Sequence, residues 1–333
     1  MAALPGPATT QWDKLAFEAG NIFGTRSWNE CWWQHFGAGT TPFVLTDQEE
    51  TPQVILPVHL RGGLIKQLRM LGNGVADELG PICLPDHRSR GQELLRDFLT
   101  LPDLRWDVLL LQDVASPHDW RTLRTREINR VASPVVRFDT SVWEEFLATR
   151  SRNFRSNIKR KFTRLNKDYS VDFRLASVDT LAADLEALFR LHLERWGPKA
   201  PFATGRQRRF HEDFAAEAMT RGWLRLWMLE LDGTIAGAQY GFRFADDEYY
   251  YQAGRDPRFE SHSIGGLLLT HAIRCAVEDK MRQFRLLRGA EAYKSHFANE
   301  DHEVCTLAAA HGRKGALAIK MAQARTRTRS WMY

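Results

Sequence analysis

Residues 223–253 read WLRLWMLELDGTIAGAQYGFRFADDEYYYQA, and their pattern decides the fold. Two apolar runs, Trp223–Leu231 and Thr234–Phe244, flank Asp232-Gly233, a dipeptide that accepts the positive φ of a two-residue hairpin turn. A second turn at Asp246-Asp247 leads into the aromatic run Glu248–Ala253. Strands joined by such short turns pair in antiparallel order, so the stretch predicts a three-stranded meander.

Working outward, helices are expected at Arg206–Thr220 and at Thr180–Trp196, where Leu181, Leu185, Leu188, Leu191 and Trp196 recur at near-helical spacing. A strand Val171–Ala176 precedes them. Further upstream, Ser151 is placed to cap a helix Asn153–Lys167, and Ser141 with Glu144 reads as a capping box for Trp143–Ala148. Downstream come a helix Ile264–Lys280, a strand Gln283–Leu287, a short helix near Tyr293–Ala298, a strand Val304–Ala309 and a helix from Arg313. The first half reads similarly: strands Pro42–Thr46, Val54–Leu60 and Lys66–Leu71, a helix Arg88–Leu99, a strand Asp107–Leu111 and a helix around Pro117–Arg126. Both halves run meander, helix, short apolar strand. The expectation is a mixed α/β (α+β) chain of two degenerate copies, 1–135 and 136–333, each a mostly antiparallel sheet flanked by helices.

The 333 residues are 44% hydrophobic and 26% charged, close to the globular average, which excludes disordered, collagen-like and coiled-coil classes. Residues 1–10 lack a basic n-region and an apolar h-region, and no run approaches 18 apolar residues; a cytoplasmic protein without a membrane span is expected. Cys31, Cys83, Cys275 and Cys305 are dispersed, with no spacing suited to a metal, so they are read as reduced and no metal is expected.

The net charge of +5 is unevenly distributed: Arg150–Lys167 holds eight Lys/Arg and no acidic residue. Phe154, Ile158, Phe162 and Leu165 mark the apolar seam of that helix, leaving a cationic face suited to an anion. A second anion signal is Ser263-Ile264-Gly265-Gly266, which opens a helix after a strand. Glycines there permit close backbone approach, and free N–H groups attract phosphate, with Arg255 and Arg258 just upstream. An ordinary capped helix with small residues for packing fits the same letters. Along Glu248–Gln252, Tyr249 and Tyr251 share one face; with Gln239 on the neighbouring strand they are candidates for lining a substrate cleft.

Five stretches together resemble the GNAT acetyltransferase superfamily, and within it the CelD-like group associated with cellulose biosynthesis, itself similar to Fem-type aminoacyl transferases. They are Trp143–Leu147, Leu191-His192-Leu193-Glu194-Arg195-Trp196, Ile235-Ala236-Gly237-Ala238, Ser263–Leu268, and Arg288-Gly289-Ala290-Glu291-Ala292-Tyr293-Lys294. The match covers about half of the chain closely. It departs from the superfamily's Arg/Gln-x-x-Gly-x-Gly/Ala turn, since Gly265 and Gly266 are adjacent and follow Ser263.

The resemblance implies acyl-CoA, most simply acetyl-CoA, as co-substrate, bound by Ala236, Gly237, Ala238, Arg255, Arg258, Ser263, Ile264, Gly265 and Gly266. It implies Glu291 as base, Tyr293 as proton donor to the thiolate and Lys294 beside them, with His192, Trp196, Gln239, Tyr249, Tyr251 and Arg288 toward the acceptor. That acceptor is expected to be an amine on a small molecule, a glycan or a peptide. Two alternatives stay open: a Fem-type enzyme taking its acyl group from aminoacyl-tRNA, with the cationic helix on tRNA phosphates, and a non-catalytic binding protein in polysaccharide or envelope assembly.

Overall fold

The computed structural model describes residues 4–115, 120 and 122–329, the last seven by backbone alone. In chain order the helices and strands are α1 Thr9–Glu18, α2 Arg26–Phe36, β1 Thr40–Thr46, β2 Ile55–Arg61, β3 Gln67–Met70, α3 Arg88–Leu99, β4 Val108–Val114, β5 Arg126–Ala132, β6 Val135–Arg137, α4 Trp143–Ala148 and α5 Arg152–Asp168. They continue as β7 Val171–Leu175, α6 Leu181–Trp196, α7 Gly205–Thr220, β8 Leu224–Leu231, β9 Thr234–Phe244, β10 Asp247–Arg255, α8 Ile264–Glu278, β11 Gln283–Arg285, β12 Glu303–Ala310 and α9 Gly312–Arg329.

Two compact units result. One comprises residues up to Val131 together with those from Glu303 onward; the other is Ala132–His302. The C-terminal strand therefore groups with the first unit, whereas a division at 135/136 was expected from the repeat. Its apolar residues Val304, Cys305, Leu307 and Ala308 are buried, and the strand pairs antiparallel with β4. Periodicity along a chain cannot say which of two sheets a terminal strand will join.

Among the described residues each sheet has six strands, five of them built to one plan and the sixth added at opposite edges. In the first unit the order is β1-β2-β3-β4-β12-β5, with β1–β3 an antiparallel meander, β4 parallel to β3 and β12 antiparallel to β4. In the second the order is β6-β11-β10-β9-β8-β7, with β7–β10 antiparallel, β11 parallel to β10 and β6 antiparallel to β11. The expected hairpin turn is present, with Asp232 at φ 49° and Gly233 at φ 75°.

Three local readings change. Ser141 does not cap α4: Val142 occupies the N-cap without a side-chain bond, and Thr140 Oγ1 instead accepts the Val142 N–H at 3.1 Å. Of the helix expected around Pro117–Arg126, residues 117–119 and 121 lie outside the described residues, and Arg126 begins β5. The strand expected to reach Leu287 ends at Arg285, because Leu287 at φ 55° and Gly289 at φ 127° leave extended geometry. The Ser151 cap holds, accepting from Phe154 N–H at 3.2 Å, and all four cysteines are free thiols.

The second unit buries both faces of its sheet. On one, Trp227, Leu229, Leu231, Phe284 and Leu286 pack with Trp143 and Phe146 of α4, Ile158 and Leu165 of α5, and Leu267 and Leu268 of α8. On the other, Tyr240, Phe242 and Tyr251 meet Phe202 and the α7 residues His211 and Phe214. Each such large apolar side chain contributes about 1.5–3 kcal/mol on burial.

Candidate functional site

The second sheet splits where it is deepest. Strand β10 pairs with β11 only over Asp247–Tyr249, opposite Gln283–Arg285, while its partnership with β9 continues to Arg255. A bulge between Tyr250 and Gln252 bends β10 at the point of separation. Beyond it, Gly254 lies against α6, where a Cβ would stand 2.6 Å from Leu191 Cβ and 2.7 Å from the His192 nitrogen. Only glycine permits that approach.

The split opens toward the start of α8. Ser263 takes a left-handed conformation (φ 56°, ψ 40°), and its carbonyl accepts the N–H groups of Gly266 and Leu267 at 3.0 and 3.2 Å. The N–H groups of Ile264 and Gly265 have no acceptor among the described residues. A Cβ on Gly266 would meet nothing within 4 Å, and one on Gly265 only Arg255 Cδ at 3.8 Å. These glycines therefore do not serve close packing. They border a cleft of about 290 Å³ whose walls include Lys161, Arg195, Ala238, Gln239, Tyr250, Gly254, Arg255, Ser263 and Tyr293. Unpaired N–H groups at a helix start, with Lys161, Arg195 and Arg255 on walls that also carry Glu260, 3.3 Å from Arg255, suit a phosphate ester.

Tyr293 Oη donates to Tyr250 Oη at 3.1 Å. Burial first, then the neighbouring Tyr250 and Glu291, raise the Tyr293 pKa well above the ordinary phenol value, so its hydroxyl stays protonated. Below it, Lys294 is buried and donates to the carbonyls of Arg288 (2.7 Å) and Leu287 (3.4 Å), tying down the chain that leaves β11. Its Nζ also lies 3.0 Å from Glu291 Oε2.

Residues 152–295 match the model of the acetyltransferase (GNAT) domain family. This stretch is a GNAT acyltransferase domain. As a whole the chain is similar in fold to a crystal structure of FemX, at 10% identity, TM-score 0.66, and coverage of 97% of this chain and 100% of that one. It is also similar to a conserved protein of unknown function from Bacteroides thetaiotaomicron, at 13% identity, TM-score 0.60 and coverage of 92% and 99%. No curated protein matches the sequence.

Ala238, Gln239, Arg255, Ser263, Gly265, Gly266 and Tyr293 line one cleft. Ile264 turns its side chain into the core and offers its N–H. Ala236 is fully buried, and a Cβ on Gly237 would stand 2.7 Å from Ile264. Arg258 is folded back on Asp256, with Nε and Nη2 both donating to that carboxylate.

Several expected site residues point elsewhere. Tyr251 belongs to the aromatic cluster with Phe202 and His211, and Tyr249 is buried beneath the Arg285 guanidinium. It is Tyr250, on the opposite face, that reaches the cleft. Helices cover both faces of this sheet, so alternation alone could not choose between them. His192 is buried, its Nδ1 3.3 Å from the Ala253 carbonyl, and burial depresses its pKa. Trp196 is half exposed and stacked under Arg195 at 4.6 Å. His192, Trp196, Arg288, Glu291 and Lys294 are outside the cleft lining.

The cleft lining also includes Lys161, Arg195, Tyr250, Ala253, Gly254, Glu260 and Leu268, which sequence reasoning did not assign to the site. Of the eight basic residues from Arg150 to Lys167, only Lys161 lines the cleft. Arg150 donates to the Phe297 carbonyl, Arg155 to the Ala148 and Arg150 carbonyls, and Arg164 lies 3.8 Å from Asp168. With Arg160 donating to Asn157 Oδ1 at 3.0 Å, more than half of that apparent charge cluster is thus spent on local structure or directed to one site.

Among the described residues, no cluster of three His, Cys, Asp or Glu side chains is placed to hold a metal ion, and no helix is long and apolar enough to cross a membrane.

Proposed function

We propose that the second unit is an acyl-CoA-dependent N-acyltransferase, most simply an acetyltransferase, of the CelD-like group, working in the cytoplasm. The first unit is then a degenerate copy of the same fold. The observation that carries this reading is the cleft at the start of α8, where two glycines leave space and two backbone N–H groups lack partners. The residues fit the co-substrate: the N–H groups of Ile264 and Gly265 with Arg255 and Lys161 for its phosphates, and the unpaired half of β10 for its extended arm.

The thioester, once bound, supplies the activated acyl carbon. The acceptor amine, after losing a proton to water, forms the new N–C bond as the C–S bond breaks. The attacking nitrogen releases a second proton to water, the departing thiolate takes one from Tyr293, and water returns a proton to the Tyr293 oxygen, so that one proton leaves in all. Backbone N–H groups for the carbonyl oxygen come from β10 in this reading. Those of Gly237–Gln239 are spent, because β9 is paired on both sides there. Lys294 and Glu291 act as positioning residues, holding Tyr293 through the turn they share.

Isothermal titration of the full chain with acetyl-CoA and CoA tests this. Binding at micromolar to sub-millimolar concentration is expected, and none at millimolar ligand sinks the proposal. The second reading, transfer from aminoacyl-tRNA, is favoured by the likeness in fold to FemX over nearly the whole chain. It predicts tRNA binding that falls steeply with salt and indifference to CoA.

A further inference from the structure

The outward face of α5 carries charge that the proposed reaction does not use. At about 100° per residue, Arg152, Lys159, Arg160, Arg164 and Lys167 fall within an arc of about 140°, and all of them are exposed. Arg152, Lys159, Arg160 and Lys167 make no ion pair among the described residues, and the bond from Arg160 to the neutral Asn157 leaves its charge uncompensated. Asp168, the only acid of the helix, lies 3.8 Å from Arg164 and is already engaged by His262 Nε2 at 3.0 Å.

Such a face is unfavourable in the free protein. Arg152 sits in the first turn, where the helix dipole disfavours a cation, and Arg164 has like charges four residues before it at Arg160 and three after it at Lys167. An anion laid along the face relieves both effects. We infer that this face docks the protein on the surface of a bilayer rich in anionic phospholipid. The inference does not depend on the acyltransferase reading.

The shape of the face selects a bilayer over a nucleic acid. Its charges run in one row along the helix, about 22 Å from Arg152 to Lys167 at about 1.5 Å per residue. The other residues of that face are the short Ser156 and Thr163, and the aromatic residues of α5, Phe154 and Phe162, pack against the core instead. Single-stranded nucleic acid calls for exposed rings on which bases stack, and a duplex for contacts spread across a groove. A lipid surface offers phosphates at every register, and Lys and Arg on both flanks of a helix are long enough to reach one plane.

The test is co-sedimentation of the full chain with vesicles of phosphatidylcholine alone or with about 30% phosphatidylglycerol, at about 50 and about 300 mM salt. Binding to the anionic vesicles is expected to be at least tenfold tighter than to the neutral ones and to fall at least tenfold at the higher salt. The triple substitution Lys159→Glu/Arg160→Glu/Lys167→Glu should weaken it at least tenfold with an unchanged circular dichroism spectrum, whereas Lys161→Gln, on the inward side of the helix, should leave it within twofold. Should the triple variant fail to fold, Lys159→Gln/Lys167→Gln serves instead, with at least threefold weakening expected. Equal binding to both vesicles, no binding to the anionic ones at low salt, or a folded variant that binds as wild type does would each overturn the inference. Tighter binding to a homopolymeric RNA than to the anionic vesicles, lost in the same variant, would overturn it in favour of a nucleic-acid surface.

Discussion

Helix α3 in the first unit and helix α8 in the second occupy the same step of one plan, after the meander and before the parallel strand, yet their starts are opposites. A Cβ on Gly91 of α3 would stand 2.6 Å from Pro81 Cβ, whereas one on Gly266 of α8 would meet nothing within 4 Å. The difference lies in the link. Residues 71–87 fold back into the first unit: Leu79 N–H donates to the Asp113 carbonyl at 2.9 Å, Ile55 and Ile82 exchange backbone bonds at 3.1 and 2.8 Å, and Leu71, Val75, Leu79 and Ile82 are buried. In the second unit the link is one 3-10 segment, Pro257–His262, followed by left-handed Ser263. A long apolar link fills the opening with the chain's own side chains; a short polar one leaves it open.

The largest expected break in this contrast is Gly265→Trp, which places an indole in the open cleft. Acetyl-CoA affinity should fall at least a thousandfold, about 4 kcal/mol, with an unchanged circular dichroism spectrum; retained binding would mean that the open helix start is not the donor site. Next is Leu79→Ala in the filled unit, which should cost about 2–4 kcal/mol in denaturant unfolding. Calorimetry of that variant should still give one CoA per chain, and a second site would show that the link alone had blocked it.

Tyr293→Phe should lower kcat by about 10- to 100-fold with little change in KM for acetyl-CoA, because it removes a proton donor and leaves the cleft shape. An unchanged kcat would assign proton delivery to another group. The smallest effect concerns pH. Burial lowers the pKa of His59 in the first unit and His271 in the second to about 4 from 6.5. Both are neutral when folded and protonate near pH 6.5 when unfolded, so the unfolded chain binds more protons between pH 6.5 and 4. Stability should therefore fall as pH falls through that window. His271→Gln should recover about 2–4 °C of melting temperature at pH 5 relative to its effect at pH 7; an equal effect at both would remove His271 from the account.

The meander, most helix boundaries and the repeated order were legible because hydrophobic period and turn chemistry are local properties. Trp223–Ala253 announced its strands through Asp232-Gly233, and Ser263–Gly266 announced an anion-type helix start. Legibility failed where the answer depends on what packs overhead. Tyr249, Tyr250 and Tyr251 look alike along the chain, but with both sheet faces covered only the split from β11 decides that Tyr250 meets the cleft. The eight basic residues of 150–167 read as one charge patch, yet helix geometry directs Lys161 inward and sends Arg150 to a backbone carbonyl.

By itself, then, the sequence determined the elements, their order in two copies and the helix start suited to an anion, since these follow from periodicity and backbone freedom within a few residues. Tertiary structure alone decided which copy keeps an open cleft, which sheet takes the last strand and which tyrosine faces that cleft. Each of those depends on whether space next to a residue is filled by chain distant in sequence, and no local pattern carries that information.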